Sequence, residues 1–193
     1  MIRVAILGDI GSGKSYVART FGYPVFNADD EVGKIYKENK KIFKRLKKTL
    51  PNYLHSFPIR KIEISNAILA NNKNLKKIVK IVHPEIKKKL NIFLKKHNNK
   101  KIVVLDIPLL LENKIDKKED ILVYVQSKKL DILKKLKKRK NFNRKLFNIF
   151  KKIQLPLNIK KEKSKFIIKN NFAEKPIKKI VKKIVKKILK EIL

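Results

Sequence analysis

The sequence predicts an α/β fold built on a central, mainly parallel sheet. Short apolar runs rich in β-branched residues alternate along the chain with longer segments whose apolar residues recur every three or four positions, which predicts strands alternating with helices. One run, residues 102–105, is apolar at every position, as is typical of a strand buried on both faces of a parallel sheet. The length of 193 residues suits one domain with small insertions and can bury a sizeable core.

The first half of the chain predicts two strands and then a long helical region. Residues 2–7 form an apolar run that a glycine-rich turn joins to a helical stretch ending near Phe21. Residues 23–26 predict a second, short strand. From 31 to about 97 the pattern is mainly helical, and Pro84 predicts a helix start within it because proline suits the first helical turn.

The second half of the chain predicts three more strands and a terminal helix. The strands are 102–105, 121–125 and 166–168, and a very basic helical segment runs from 128 to about 150. From Pro176 onward, apolar residues recur every three or four positions with lysines between them, which predicts an amphipathic helix. Such a helix is also found on membrane surfaces, but we favour a helix that covers the sheet.

The charge of the chain has two interpretations. The 52 Lys and Arg residues outnumber the 16 Asp and Glu residues, and the formal net charge is +36. Basic domains bind nucleic acids by neutralising phosphates and releasing counterions. However, 46 of the basic residues are Lys and only six are Arg, and Ile and Asn are also abundant, as A/T-rich codons would produce. Because the lysines are spread over the whole chain, we favour compositional drift over a nucleic-acid partner.

The composition also excludes several classes of protein. A hydrophobic content of 43% is too high for a disordered polycation. The absence of cysteine excludes disulfides, thiolate metal sites and a cysteine nucleophile. No run approaches the roughly 18 apolar residues of a membrane span, and the amino terminus lacks the features of a signal peptide. We therefore expect a cytoplasmic protein with no membrane partner.

Residues 8–15 carry the clearest chemical pattern. Gly8, Gly13, Lys14 and Ser15 have the spacing of a P-loop, whose glycines let backbone amides approach phosphates, while the lysine reaches the β- and γ-phosphates and the hydroxyl ligates Mg²⁺. A predicted strand precedes the loop and a helix follows it. We expect ATP to bind there, in a P-loop kinase-type three-layer fold. The expected nucleotide-binding residues in the loop are Gly11, Ser12, Gly13, Lys14, Ser15 and Tyr16.

Acids follow two of the predicted strands. Asp106 directly follows 102–105 and, with Ser15, is a candidate to organise Mg²⁺, although a solvated aspartate at a strand end is the ordinary alternative. Asp29 follows the second strand, at the sheet edge where ligands bind in open α/β sheets, so its carboxylate could accept the proton of an attacking hydroxyl. Asp30 and Glu31 complete the cluster. Capping of the following helix explains these acids equally well.

Together these motifs resemble the dephospho-CoA kinase family over nearly the whole chain, in the family's order and spacing. The P-loop is specific only to the superfamily, whereas the full set is specific to the family. The matching segments are Ile10 to Ser15, Asn27-Ala28-Asp29, His83-Pro84-Glu85-Ile86, Pro108-Leu109-Leu110-Leu111-Glu112, Gln154, and Phe166 to Asn170.

The resemblance implies ATP-dependent phosphorylation of the ribose 3′-hydroxyl of dephospho-CoA, the last step of coenzyme A synthesis. Asp29 becomes the catalytic base, and Lys14 neutralises the phosphates during transfer. Three positions depart from the family pattern. Asn27 replaces the first Asp of Asp-Ala-Asp, Asp9 stands where Gly is usual, and Tyr16 replaces a common Thr.

The resemblance also places a lid that closes over ATP at residues 128–158. Arg139 and Arg144 lie in it, and we expect a phosphate contact for Arg139 and a substrate contact for Arg144, since arginine offers a bidentate fork that lysine lacks. Chance survival among lysines is the alternative. His83 is expected to orient substrate or to cap a helix. Glu112 is expected to orient a basic side chain near the substrate, or to be an ordinary exposed acid.

We therefore expect a single kinase domain with three regions. The core comprises about 1–30, 98–127 and 159–193, the substrate-binding helical region about 31–97, and the lid about 128–158. ATP, Mg²⁺ and dephospho-CoA are the expected ligands, and no nucleic acid is expected. The alternatives are another small-molecule P-loop kinase, such as a nucleoside monophosphate kinase, or a basic nucleic-acid-binding protein with an idle P-loop. The sequence does not determine the oligomeric state.

Overall fold

The computed structural model describes residues 1–139 and 142–191 and confirms the predicted α/β fold. Residues 140–141 of the predicted lid and 192–193 of the predicted terminal helix lie outside the described residues. Helical segments separate successive strands along the described chain, except between Ile102–Asp106 and Ile121–Gln126, where turns and irregular segments make the connection. Within it, no helix is both long and apolar enough to cross a bilayer.

The strands form one parallel sheet. They are β1 (Ile2–Gly8), β2 (Val25–Asn27), β3 (Ile102–Asp106), β4 (Ile121–Gln126) and β5 (Phe166–Lys169). In the described chain the sheet has five strands in the order β2-β3-β1-β4-β5, and every neighbouring pair is parallel. β1 is therefore the central strand. β3 is buried at every position, as its uninterrupted apolar run predicts.

Nine helices lie within the described residues. They are α1 (Lys14–Thr20), α2 (Ala28–Glu38), α3 (Lys40–Thr49), α4 (Lys61–Ala70), α5 (Asn72–Lys96), α6 (Lys129–Lys137), α7 (Arg144–Lys152), α8 (Leu157–Glu162) and α9 (Glu174–Lys190). The single basic helix expected over 128–150 is thus two helices, α6 and α7.

The chain divides into two compact units. The first consists of Met1–Asn27 and the described parts of His97–Phe142 and Ile153–Leu193. The second consists of Ala28–Lys96 and Asn143–Lys152. The segment expected to form the lid is therefore shared, since α6 and α8 belong to the first unit and α7 belongs to the second.

The core of the first unit lies between the sheet and the helices α1 and α9. Its apolar side chains come from β1, β3, β4 and β5 and from the inner faces of the two helices. The apolar residues of α9 are buried there, so this helix covers the sheet, as we favoured from its pattern. The buried α9 residues are Ile177, Val181, Ile184 and Ile188.

The second unit is helical, and its longest helix contains a proline. α5 runs through Pro84, so the expectation that Pro84 starts a helix is wrong. Ile78, Val82 and Ile86 keep a spacing of four across the proline and are all buried. Their burial offsets the cost of a proline inside a helix, which is about 3 kcal/mol for the lost hydrogen bond and the ring clash together.

A buried carboxylate organises the loop before α4 in the second unit. Glu63 accepts hydrogen bonds from the N–H groups of His55, Ser56 and Arg60 and from the Ser56 hydroxyl, over 2.8 to 3.2 Å. Burial raises the pKa of the Glu63 carboxyl, but these four donors outweigh that effect and lower the pKa to about 2. The loop from 55 to 60 is therefore held by one ionised side chain.

Replacing Glu63 with Gln should destabilise the fold by about 2 kcal/mol at pH 7, because Gln turns an NH₂ group toward N–H donors. The folded pKa of about 2 lies below the ordinary 4.5, so the stabilisation is present above pH 4.5 and is lost as the pH falls toward 2. The measurement is urea unfolding of the wild type and Glu63→Gln at pH 7 and pH 3, where the difference should shrink.

Glu85→Gln is the matched control on α5 of the same unit. No hydrogen bond or ion pair of the Glu85 carboxylate is found among the described residues. Its stability should follow the wild type at both pH values. A Glu63→Gln deficit that stays constant between pH 7 and pH 3 would contradict the assigned role of the ionised carboxylate.

Candidate active site

Polar residues collect at one edge of the sheet in the first unit. Because the strands are parallel, their carboxyl ends meet at the same edge, where open α/β sheets bind ligands. Gly8 ends β1 and opens the P-loop, Asp106 ends β3, and Ser127 and Asn170 directly follow β4 and β5. Four neighbouring strands thus bring the phosphate loop together with an acid, a hydroxyl and an amide.

The P-loop has the conformation that its glycines permit. Gly13 has φ 89°, and a Cβ there would overlap the Asn170 amide nitrogen, so only glycine fits. At Gly11 a Cβ would lie 3.0 Å from the side chain of Leu136 and 3.1 Å from that of Ile132. α6 therefore packs directly on the loop.

Lys14 begins α1, directly after Gly13. Its Nζ donates hydrogen bonds to the carbonyl oxygens of Asp9 at 2.7 Å and Gly8 at 3.2 Å, so the ammonium group is held across the loop. Ser15 follows in the first turn of α1 and is partly exposed, whereas Tyr16 is exposed. The loop thus offers a cation, a hydroxyl and backbone N–H groups in one short segment.

Asp106 is buried and pairs with the residue that departs from the family pattern. Asn27 lies opposite Asp106 in the β2–β3 register, and its Nδ2 donates to Asp106 Oδ2 at 2.8 Å. An aspartate at 27 would set two carboxylates side by side, where repulsion favours protonation of one of them. The asparagine instead supplies a donor, and Asp106 is not the solvated strand-end acid of the alternative interpretation.

One P-loop carbonyl is held by two residues that the sequence does not mark as part of the site. The Ser12 carbonyl oxygen accepts a hydrogen bond from Asn170 Nδ2 at 2.8 Å and another from the Ser127 hydroxyl at 3.0 Å. Asn170 is buried, and its Oδ1 accepts from the N–H of Phe172 at 2.8 Å. Their position directly after β4 and β5 is the signal that could have identified them.

A pocket of about 230 Å³ lies between α6 and the loop after β5. Phe172 has φ 64°, and its ring lies 3.4 Å from where a Gly13 Cβ would be. The Lys135 ammonium lies 5.4 Å from the centre of the same ring. An aromatic face beside the P-loop suits a planar base. The pocket is lined by Asp131, Lys134, Lys135, Lys138, Asn171 and Phe172.

Glu112 lies in the first unit, is largely shielded from solvent and is not an exposed acid. Its side chain is 10% exposed, and its Oε1 accepts hydrogen bonds from Lys160 Nζ at 2.6 Å and from the Leu155 N–H at 2.8 Å. Lys160 is 4% exposed. The pair fastens α8 and the residues before it to the segment after β3. Lys160 carries no sequence signal, being one lysine among 46.

The other candidate residues lie on three helices and one loop. Arg139 is exposed just after α6 in the first unit, whereas Asp29, His83 and Arg144 belong to the second unit. Asp29 is exposed in the first turn of α2, and Arg144 is exposed at the start of α7. His83 is partly buried in the middle of α5, and burial lowers the pKa of its imidazole. The ring is therefore neutral at pH 7.

A parallel sheet flanked by helices, with a phosphate loop after the central strand, places the chain among the P-loop kinases in fold. The family model described as dephospho-CoA kinase matches residues 2–175, and the chain belongs to that family. Dephospho-CoA kinase from Wolbachia pipientis wMel is 32% identical over 176 residues, which cover 89% of this chain and 90% of the relative.

Solved structures agree with this fold. The Thermus thermophilus protein TT1252 has a TM-score of 0.75 at 22% identity, covering 96% of this chain and 97% of its own. Dephospho-CoA kinase from Campylobacter jejuni has a TM-score of 0.61 at 22% identity, covering 96% of both chains. At this identity, the two structures support the fold alone.

Removing only one member of the Glu112–Lys160 ion pair should lower the stability of the fold. Lys160→Met leaves the Glu112 carboxylate buried without its cation, and we expect a loss of about 3 kcal/mol in the free energy of unfolding. The double variant Glu112→Leu/Lys160→Met removes both charges and should recover most of that loss. Guanidinium unfolding at pH 7 measures both.

Lys178→Met is the control, because Lys178 forms an exposed pair with Glu174. Exposed pairs contribute little, so its unfolding should match the wild type. If Lys160→Met also matched the wild type, the pair would not fasten α8.

Proposed function

We propose that this protein transfers the γ-phosphate of ATP to the ribose 3′-hydroxyl of dephospho-CoA and so produces coenzyme A. The observation that carries the proposal is the family match along residues 2–175, together with an intact P-loop at the carboxyl edge of the sheet. The cytoplasmic location expected from the sequence fits this reaction, since both substrates are small water-soluble anions.

The P-loop supports the binding of ATP phosphates. Lys14 would leave the carbonyls of Gly8 and Asp9 for the β- and γ-phosphates, and the loop amides would donate to the phosphate oxygens. The pocket beside Phe172 would take the adenine, because the ring offers an apolar face and the surrounding lysines attract the phosphates of the same molecule. One short stretch of surface would therefore hold both ends of ATP.

Ser15 and Asp106 are the residues that we propose hold Mg²⁺. A hydroxyl and a buried carboxylate, completed by phosphate oxygens and water, form the all-oxygen donor set that Mg²⁺ takes in kinases. The residues present therefore fit the ion. When bound, it would neutralise charge on the transferring phosphoryl group. Asn27 would keep the Asp106 carboxylate oriented through its hydrogen bond.

Asp29 is our proposed catalytic base. It lies two residues after the end of β2, and its carboxylate is exposed, so a substrate hydroxyl can reach it. Glu31, in the same helical turn, forms ion pairs with Lys34 at 2.6 Å and Lys89 at 3.3 Å. These pairs lower the pKa of Glu31 against the effect of its burial, and they give this acid a structural role.

We also propose ligand contacts for two arginines and one histidine. The exposed guanidinium groups of Arg139 and Arg144 would contact ATP and dephospho-CoA respectively. The neutral His83 imidazole would orient dephospho-CoA by hydrogen bonding. Glu112 would act on the substrate only through the segment that it fastens. Tyr16 follows Ser15 on α1, where its exposed ring would border the nucleotide.

An ATP-coupled assay over a substrate panel tests the function. Dephospho-CoA should give a kcat/KM at least about 100-fold above nucleoside monophosphates and nucleosides, because unmatched polar groups in the site penalise the wrong acceptor. Preference for a nucleoside monophosphate would contradict the proposal in favour of another small-molecule kinase. Tight duplex binding that falls steeply with salt, without turnover, would indicate a nucleic-acid-binding protein.

Asp29→Asn tests the assignment of the base. The variant keeps the shape of the side chain but cannot accept the hydroxyl proton, so kcat with dephospho-CoA should fall at least about 100-fold. ATP affinity should be largely unchanged, since the phosphates bind to the P-loop. Equilibrium binding of ATP and steady-state kinetics separate the two effects.

Asp30→Asn is the matched control, because Asp30 is exposed in the same first turn of α2. It removes the same charge from the positive end of the helix and should retain turnover. Equal losses in both variants would mean that the charge of the helical turn matters and that Asp29 has no special role.

A further inference from the structure

The carbonyl of Ser12 is held from two strand ends at once. Asn170 Nδ2, after β5, and the Ser127 hydroxyl, after β4, donate to this one oxygen at 2.8 and 3.0 Å. Both residues lie in the first unit with the P-loop. Two donors on one carbonyl of a ligand-binding loop fix the plane of that peptide more firmly than its own turn would.

The consequence of that restraint lies on the other side of the peptide. The peptide group between Ser12 and Gly13 is planar and trans, so its N–H points away from its C=O. Holding the Ser12 oxygen against the strand ends therefore directs the Gly13 N–H to the opposite side. Among residues 1–139 and 142–191, no acceptor takes this N–H. Within the described residues, the Gly13 N–H therefore has a fixed direction and is available to donate to a ligand.

Asn170 also connects this peptide to the pocket beside α6. Its Oδ1 accepts from the N–H of Phe172 at 2.8 Å, which helps hold Phe172 at φ 64° with its ring facing Gly13. Its own N–H donates to the Gln126 carbonyl at 2.7 Å, so the side chain projects from a fixed backbone. One buried amide thus holds both the phosphate loop and the aromatic wall of the pocket.

We propose that Asn170 and Ser127 are positioning residues that orient the Ser12–Gly13 peptide so that the Gly13 N–H donates to a phosphate of the nucleotide. Asn170 additionally sets the wall of the base pocket. The inference rests on the proposed function, in which the P-loop binds ATP. Neither side chain contacts the nucleotide itself, and both act through the backbone that does.

Ser127→Ala is the first test, because Ser127 is partly exposed at a strand end and its loss leaves Phe172 untouched. Isothermal titration with inorganic tripolyphosphate should show a Kd about fivefold higher than in the wild type, the effect of one hydrogen bond. The Kd for adenosine should be unchanged. Ser127→Thr retains the hydroxyl and should restore tripolyphosphate binding.

Asn170→Ala removes both contacts of the amide. Its Kd for tripolyphosphate should rise about tenfold, and its Kd for adenosine should also rise, since Phe172 loses its acceptor. Ser127→Ala should therefore weaken the binding of tripolyphosphate alone, whereas Asn170→Ala should weaken the binding of both tripolyphosphate and adenosine. A merely structural loosening would instead weaken both ligands in the same proportion in both variants, and that result would overturn the proposal.

Ser164→Ala is the matched control. The Ser164 hydroxyl also donates to a backbone carbonyl, that of Lys160 at 2.7 Å, in the same unit but not at the P-loop. It should bind tripolyphosphate like the wild type.

Lys14→Ala separates this proposal from the proposed function. Wild-type tripolyphosphate binding by Lys14→Ala would overturn the phosphate role of the loop itself. A large loss in Lys14→Ala, with wild-type binding by both Ser127→Ala and Asn170→Ala, would overturn only the orientation of the peptide.

Discussion

The parallel pairing of β1 with β3 and β4 is the constraint on which the candidate site depends. Parallel hydrogen bonding sets the carboxyl ends of neighbouring strands at one edge of the sheet. The residues at these ends can then bind a ligand or orient the P-loop. Burial of β3 at every position places this strand inside the sheet, with both of its faces covered. Because the P-loop begins at the end of β1, this packing also fixes the position of the loop.

Scarce acids organise a chain dominated by lysine. Of the 16 acidic residues, Glu63 accepts four hydrogen bonds from the loop before α4, and Glu112, which is largely shielded from solvent, binds the Leu155 N–H and the Lys160 ammonium group. The Asp106 carboxylate accepts a hydrogen bond from the Asn27 amide. The lysines, by contrast, lie mostly on the surface, with Lys160 buried as an exception. This distribution agrees with a composition that drifted where it was free to do so.

The sequence predicted those features that depend on local pattern. The glycine spacing from Gly8 to Gly13 identified the phosphate loop, and the apolar run 102–105 identified a buried parallel strand. Pro84 was misleading, because the burial of apolar residues of α5 on both sides of it outweighs the local preference of proline for a helix start. The break between α6 and α7 was also missed, since lysine-rich segments show the same periodicity in one helix or two.

Contacts between distant segments could not be predicted in the same way. Asn170 was recognised only as the end of a strand, and its bond to Ser12 spans 158 positions of sequence. The Glu112–Lys160 pair joins a loop to a short helix, and no local signal distinguishes Lys160 from its neighbours. Such contacts depend on how the whole chain packs. They are the part of the site for which the structure was needed.

The asparagine at position 27 has a consequence for how this edge of the sheet can evolve. With Asn27 as donor, the Asp106 carboxylate has a hydrogen bond from the neighbouring strand end, and this bond needs no ligand. An aspartate at 27 would make the same edge depend on a cation or a shared proton. The effect of a mutation at position 27 or 106 would therefore depend on the residue at the other position. In evolutionary terms, the two positions would be epistatic.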